Sequence, residues 1–239
     1  MAKDLCLLTI GVDEAGRGPI LGDLVIGLVV LDKEREKILS EYGVRDSKEL
    51  TPVRRKSLVK HIIDNSLIIA TGYIPPLTVD KHRLNKLVAS NMSHLINMVL
   101  TILDKVVTSK CNVEIYVDEV KGFEQVIKRS IGKYVNLDIV LKMEQGADKK
   151  YVVVSAASII AKFYRDENLY SAKKLYGEFG SGYPTDKRTR DWIRDYYSTY
   201  REPPPIVRRS WNTLLALAPQ WYRDLKKGRS ILDYLGGRG

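Results

Sequence analysis

The sequence CLLTIGVDEAGRGP, residues 6–19, determines where the fold begins and carries its first functional groups. Its first half is an apolar run that ends in glycine, a pattern typical of a buried β-strand. Asp13 and Glu14 follow, and in an extended strand their side chains would point to opposite faces. A turn at the glycines can bring both carboxylates to one edge. This stretch alone fits either a divalent-cation site or a strand end with two surface acids.

Residues 16–18, glycine-arginine-glycine, offer a second kind of binding group. Glycine lets a ligand approach the backbone closely, because it has no side chain to obstruct the ligand. The guanidinium of Arg17 matches phosphate or sugar oxygens. We therefore expect Gly16, Arg17 and Gly18 to contact a sugar or a phosphate.

The composition is that of a globular protein with one substantial core, alone or with a smaller appendage. Of 239 residues, 44% are hydrophobic and 28% are charged. No apolar run approaches the roughly 20 residues of a transmembrane helix, and the start lacks a secretory signal. We expect no membrane partner and a cytoplasmic location. Cys6 and Cys111, the only cysteines, are expected to be buried free thiols, which leaves no zinc site.

The net charge of +10 favours a polyanionic partner. Residues 177–239 hold 12 Lys and Arg against 7 Asp and Glu, a net +5, and all three tryptophans. Basic residues interleaved with aromatic ones suit a nucleic-acid surface. Helices that pack a small core would use the same aromatic residues, so both interpretations stay open.

Apolar patterning predicts alternating strands and helices along the chain. Strands are predicted at residues 6–10, 24–31, 66–73, 113–118 and 137–142. Helices are predicted at about 52–65, 84–106, 123–131, 152–176 and 186–200, with one or two more in 211–227. The first two strands are close enough for an antiparallel pair. The strand-helix-strand order of 113–142 indicates a parallel crossover, which places Asp118 at a carboxyl end where ligands of α/β sheets collect.

Four acids thus stand at the ends of predicted elements: Asp13, Glu14, Asp118 and Asp148. Each alone could cap a helix or be solvated. Together in one α/β sheet they indicate a carboxylate cluster that holds two divalent ions. Two such ions can activate a water molecule and stabilise the leaving oxygen of a phosphodiester.

An ordered set of short motifs joins these residues. They are DEAGRGP at 13–19, DSK at 46–48, VD at 117–118, AD at 147–148, SAASIIAK at 155–162, RD at 165–166, GSGYP at 180–184 and VRRSW at 207–211. The set resembles type 2 ribonuclease H (ribonuclease HII), and its spacing is most similar to the archaeal and eukaryotic branch. The resemblance implies an α/β fold with a ribonuclease H-like mixed five-stranded sheet flanked by helices. It also implies a catalytic domain at 1–176 and a small helical C-terminal region at 177–239 that contributes to substrate binding.

The resemblance further implies an endonuclease that cuts the RNA strand of RNA–DNA hybrids and cuts at ribonucleotides embedded in duplex DNA. The four acids would bind Mg²⁺ or Mn²⁺, and the products would carry 5′-phosphate and 3′-hydroxyl ends. Such an enzyme removes misincorporated ribonucleotides and RNA primers. Gly16, Arg17 and Gly18 would read the 2′-hydroxyl, Tyr183 would stack on the next sugar, and Lys48 would hold a phosphate. The 2′-hydroxyl is the group that separates RNA from DNA.

Two other functions fit parts of the sequence. A non-catalytic hybrid-binding module would use the acids only as caps, but the presence of all four acids argues against it. Another nuclease of the same fold, such as a resolvase, would have no use for the 2′-hydroxyl reader at residues 16–18 or for Tyr183.

The tail, residues 228–235, loosely resembles a sliding-clamp-binding peptide. It departs from that pattern, since Gly228 replaces the usual glutamine and Leu235 replaces the second aromatic residue. An ordinary terminal helical turn is the other interpretation. A monomer is the simplest expectation for the oligomeric state.

Overall fold

The computed structural model of the protein describes residues 6–44 and 52–224. Its strands are β1 Cys6–Ala15, β2 Leu24–Asp32, β3 Ile68–Ile74, β4 Cys111–Asp118 and β5 Leu137–Glu144. Its helices are α1 Lys33–Glu41, α2 Pro52–Asp64, α3 Pro76–Val79, α4 Leu84–Val106, α5 Glu124–Ser130, α6 Ala147–Lys150, α7 Val152–Tyr176, α8 Lys187–Thr199 and α9 Thr213–Leu217, followed by a 3₁₀ turn at Pro219–Trp221.

The strands form one mixed sheet in the order β3-β2-β1-β4-β5. β1 pairs antiparallel with β2 and parallel with β4, and β4 pairs parallel with β5. Both predicted pairings are therefore confirmed, as is the predicted mixed five-stranded sheet. Since β1 is central, its apolar run is buried on both faces, and Ile10 and Val12 are completely inaccessible.

Two glycines let the first half of α7 lie directly on the sheet. A Cβ atom on Gly11 would stand 2.2 Å from the carbonyl oxygen of Val153, and one on Gly27 would stand 2.3 Å from that of Ala157. Any larger residue would force the helix away. Gly27 is the partner of Asp13 in the β1–β2 register, so α7 passes close to the end of β1 that carries the acids.

The compact unit that contains the sheet comprises the described parts of residues 1–15, 25–73 and 85–165. One of its core clusters joins β2, α1 and α2 to the apolar face of α7, with Val29, Leu39, Ile62 and Ile160 among its members. Burying this apolar area is the main stabilising contribution to the unit.

All of α4 except Leu84 lies in the same unit. By length and composition alone, its 23 residues could cross a membrane. Its most apolar window is 56% buried within the protein. Val88, Met92, Ile96 and Val99 have no accessible surface. α4 therefore has the burial of a core helix.

The prediction of free thiols is wrong, because Cys6 and Cys111 form a disulfide. The two cysteines are direct partners in the parallel β1–β4 register, with their Cα atoms 4.6 Å apart. This separation lies within the range that a disulfide can bridge. The bond closes a sequence separation of 105 residues and ties β1 to β4 at the amino ends of both strands.

The other compact unit comprises residues 16–24, 74–84 and the described part of 166–239. Its core surrounds the fully buried Phe179 and Trp221 and includes Ile193 of α8 and Leu214 of α9. Trp192 and Trp211 pack against the same core. The tryptophans thus serve a small helical core, one of the two interpretations that the sequence left open.

The predicted domain boundary between residues 176 and 177 stays a prediction. The second unit also contains residues 16–24, 74–84 and 166–176, which that boundary assigns to the catalytic domain.

Candidate active site

Three of the four predicted acids lie at strand ends in the middle of the sheet. Asp13 and Glu14 are near the end of β1, and Asp118 is the last residue of β4. The two strands are parallel neighbours, and Val12 pairs with Val117. Parallel strands bring their carboxyl ends to one edge, so the topology places these three acids at the same edge of the sheet.

Asp13 is the most enclosed of these three acids, with 6% of its surface exposed. Its Oδ1 accepts a 2.7 Å hydrogen bond from the backbone N–H of Glu14, and Ser158 of α7 also hydrogen-bonds to its side chain. Burial raises the pKa of Asp13 well above its usual value, and the nearby charges of Glu14 and Asp118 raise it further. Asp13 therefore lies within electrostatic reach of two other carboxylates.

Asp148 reaches the same edge on α6, a single helical turn that follows β5. Gly146 enters this turn with a φ of 69°, a conformation that favours glycine. The backbone N–H of Ala147 donates a 2.9 Å hydrogen bond to Oδ1 of Asp118. Asp148, the next residue, is only 2% exposed. The residue that precedes Asp148 is thus hydrogen-bonded to Asp118.

The structure does not draw the four carboxylates into a finished metal centre. Across residues 6–44 and 52–224, no three acidic, histidine or cysteine side chains stand close enough together to hold an ion. The donors nevertheless suit Mg²⁺ or Mn²⁺, since carboxylate oxygens are the ligands that these hard cations prefer. Burial of Asp13 beside two like charges is costly, and a bound cation would offset that cost.

The predicted sugar reader lies in the second unit, and Tyr183 lies beside it. Gly16 has a φ of 96°, which other residues rarely adopt. A Cβ atom on Gly18 would come within 3.3 Å of Cε1 of Tyr183. Tyr183 as a whole residue is 37% exposed, so it contacts the glycine and is also partly accessible. The structure therefore brings together Gly18 and Tyr183.

Arg208 and Trp211, both from the VRRSW motif, hold the loop at residues 16–22 through hydrogen bonds to its carbonyl groups. Arg208 is fully buried, and its Nε donates a 2.9 Å hydrogen bond to the carbonyl of Gly22 while its Nη1 lies 3.4 Å from the carbonyl of Arg17. The indole N–H of Trp211 donates a 3.1 Å hydrogen bond to the carbonyl of Gly18. These contacts span about 190 residues of sequence, so no local pattern predicts them.

Asp80 anchors the segment from which those side chains extend. Its carboxylate accepts hydrogen bonds from the backbone N–H groups of Arg209 and Ser210, at 2.8 and 2.9 Å, and from the Ser210 hydroxyl at 2.8 Å. Three such bonds to one charged group fix the segment firmly. Lys48 and the tail at 228–235 lie outside the described residues.

Comparison with known proteins agrees with this architecture. The family model "Ribonuclease HII" matches residues 10–214. A ribonuclease HII from Pyrococcus horikoshii is 42% identical over 205 residues, which are 85% of this chain and 89% of that protein.

Two solved structures are similar as well. The ribonuclease H2 of Pyrococcus horikoshii OT3 has a TM-score of 0.76 at 38% identity and covers 90% of this chain and 98% of its own. The ribonuclease HII of a PCNA:RNase HII complex from Archaeoglobus fulgidus has a TM-score of 0.72 at 30% identity and covers 88% and 96%.

A mixed sheet of this order, with acids at the ends of adjacent parallel strands, defines a protein of the ribonuclease H-like class. Within that class, the match over most of its length shows that the chain belongs to the ribonuclease HII family. It is accordingly a ribonuclease H, an endonuclease of RNA–DNA hybrids.

Proposed function

We propose that this ribonuclease cuts the RNA strand of hybrids and single ribonucleotides in duplex DNA with two divalent ions, Mg²⁺ or Mn²⁺, held by Asp13, Glu14, Asp118 and Asp148. The observation that carries the proposal is the burial of Asp13 beside Glu14 and Asp118. The charges of Glu14 and Asp118 disfavour the ionised form of the buried Asp13 carboxyl unless a cation or a proton compensates.

Bound divalent ions would activate a water molecule and stabilise the leaving oxygen of the phosphodiester. The protein's part is to place oxygen donors. Ser158 and the N–H of Glu14 orient Asp13, and the N–H of Ala147 orients one oxygen of Asp118. Hydrolysis by this route leaves a 5′-phosphate and a 3′-hydroxyl.

Selectivity for ribonucleotides would come from Gly16, Arg17 and Gly18, whose backbone groups read the 2′-hydroxyl, and from Tyr183, which stacks on the following sugar. The contact between Gly18 and the Tyr183 ring supports this assignment. In the chain, Gly16 follows Glu14 by two residues, which suits a reader for the nucleotide that the acids cut. Lys48 would contact a phosphate.

The enzyme would act as a monomer in the cytoplasm, removing misincorporated ribonucleotides and RNA primers, with residues 177–239 contributing to substrate binding. A sliding clamp would bind the tail at 228–235. The Archaeoglobus fulgidus relative, which was solved in complex with PCNA, supports the clamp as a partner.

Disulfides are rare in cytosolic proteins, except in those of hyperthermophiles. A cytoplasmic enzyme with the Cys6–Cys111 bond would therefore belong with the hyperthermophile proteins.

The substitution Asp118→Asn tests the metal role. It should retain binding of an RNA–DNA hybrid while the cleavage rate falls at least about 100-fold, because the amide keeps the shape but loses the charge. Glu119→Gln is the matched control, since Glu119 is the next residue, is exposed and has no assigned role. Equal loss of binding and cleavage in Asp118→Asn would show instead that Asp118 is structural.

A further inference from the structure

Glu144, the last residue of β5, was not among the predicted site residues, yet it holds the turn that carries Asp148. In the parallel β4–β5 register Glu144 lies directly opposite Asp118. Two acids therefore end neighbouring strands, and both reach the segment that follows β5. Asp118 accepts from the N–H of Ala147 at the start of that segment.

The carboxylate of Glu144 binds the other end of the same segment with both oxygens. Oε1 accepts a 2.8 Å hydrogen bond from the hydroxyl of Tyr151, and Oε2 pairs with Nζ of Lys150. The ring of Tyr151 in turn lies on that of Tyr116 of β4, with centroids 4.0 Å apart. The exit of the turn is thus fastened to β5 through Glu144 and to β4 through Tyr116.

The turn needs such support, because it is only four residues long. A single helical turn has too few internal hydrogen bonds to be stable alone. Its own bonds are Lys149 N–H to the carbonyl of Gly146, at 3.0 Å, and Tyr151 N–H to that of Ala147, at 2.9 Å. Asp148 lies between these attachments, so its position depends on both ends of the turn.

We propose that Glu144 is a positioning residue for Asp148. Its ion pair with Lys150 and its hydrogen bond with Tyr151 hold α6 in the place where Asp148 can ligate a divalent ion. The inference rests on the proposed function of Asp148 as a metal ligand. The lysine is 56% exposed and the glutamate side chain 35% exposed, so their ion pair contributes little to global stability. Its effect should therefore be seen in metal binding rather than in unfolding.

Glu144→Ala and Glu144→Gln test the proposal through Mn²⁺ binding to the substrate-free protein, measured by the EPR signal of free Mn²⁺. Mutation of a group that orients a metal ligand typically weakens metal binding about 10–100-fold. We expect about 10-fold weaker Mn²⁺ binding for Glu144→Ala and a smaller loss for Glu144→Gln, whose side chain can still accept from Tyr151. The metal concentration for half-maximal cleavage should rise in parallel, while KM for the hybrid and the unfolding temperature stay near wild type.

Asp138→Asn is the matched control. Asp138 lies near the start of the same strand, whereas the turn follows its end, and it forms an exposed 3.8 Å ion pair with Lys110. Unchanged Mn²⁺ binding in this control, with weakened binding in the Glu144 variants, supports the proposal. The same loss in Asp138→Asn would overturn it, because any lost acid on β5 would then suffice.

Tyr151→Phe keeps the proposal testable if Glu144→Ala does not fold, since it removes only the hydroxyl that Glu144 binds. It should weaken Mn²⁺ binding about 3-fold, which is less than the loss expected when Glu144→Ala removes the contacts with both Lys150 and Tyr151. Asp148→Asn, measured alongside, separates the two levels of inference. If Asp148→Asn loses Mn²⁺ affinity and cleavage but the Glu144 and Tyr151 variants bind Mn²⁺ as wild type does, the positioning role is overturned alone. If Asp148→Asn behaves as wild type, the proposed metal role of Asp148 is overturned too.

Discussion

A Cβ atom on Gly18 would lie 3.3 Å from Cε1 of Tyr183, so the second glycine of the loop and the tyrosine ring are in direct contact. The carbonyl of Gly18 accepts from the indole of Trp211. The glycine is therefore held on its carbonyl side and faces the tyrosine with one of its two Cα hydrogen atoms. Such packing leaves no room for a side chain without a shift of the ring.

Gly18→Ala should therefore push the ring of Tyr183 out of place by a few tenths of an ångström. We expect cleavage at a single embedded ribonucleotide to fall about 10-fold more than cleavage of a long hybrid, a difference of ~1.4 kcal/mol in transition-state stabilisation. The measurement is the ratio of kcat/KM for the two substrates. Gly72→Ala in β3 is the control, and an unchanged ratio in Gly18→Ala would contradict the assigned contact.

Tyr183→Ala should lower kcat/KM for the single-ribonucleotide duplex more than kcat/KM for the long hybrid, because it removes the stacking surface completely. Stacking on an aromatic ring is worth ~1–3 kcal/mol per base, and a sugar should gain an amount at the lower end of that range. Tyr183→Phe keeps the ring and should stay near wild type. Uniform loss on both substrates in Tyr183→Ala would indicate a general packing role.

Gly11→Ala should destabilise the sheet unit by about 3 kcal/mol or more, because its methyl group would meet the backbone of α7. Gly72→Ala is again the comparison, since the nearest heavy atom to its added Cβ is Ile26 Cβ at 3.9 Å, an ordinary contact. We expect Gly72→Ala to stay within about 1 kcal/mol of wild type in denaturant unfolding. Equal stability of the two variants would mean that α7 does not lie so close to β1.

Reduction of the Cys6–Cys111 disulfide should lower the free energy of unfolding by about 2–4 kcal/mol, since the bond restricts the unfolded chain over 105 residues. The measurement is thermal unfolding with and without dithiothreitol. Cys6→Ser should match the reduced protein and should not respond to the reductant. A wild-type unfolding temperature that ignores the reductant would contradict the presence of the bond.

The sequence predicted the strands and helices whose residues form apolar runs or a helical apolar spacing. The apolar runs located every strand, and helical spacing from Leu84 gave α4 with its observed bounds. The sequence predicted no element at Lys33–Glu41, because only Leu39 is buried there and no apolar face stands out. Asp32, which caps this helix through the N–H of Arg35, was the available signal.

Non-local relationships could not be predicted in the same way. The pairing of Cys6 with Cys111 depends on the register of two strands that are far apart in sequence. The contacts of Ser158 with Asp13 and of Arg208 with Gly22 likewise exist only after the chain has folded. Residue type and order predicted that Asp13, Glu14 and Asp118 lie at strand ends, whereas the groups that orient them became visible only in the structure.

The most direct test uses a DNA duplex with one ribonucleotide, compared with the same duplex made entirely of DNA. We predict one cut at the ribonucleotide in Mg²⁺ or Mn²⁺, with 5′-phosphate and 3′-hydroxyl ends, and no cut in the all-DNA duplex or in the presence of a chelator. Cleavage that persists in chelator, or a ribonucleotide duplex left intact with either metal, would contradict the account.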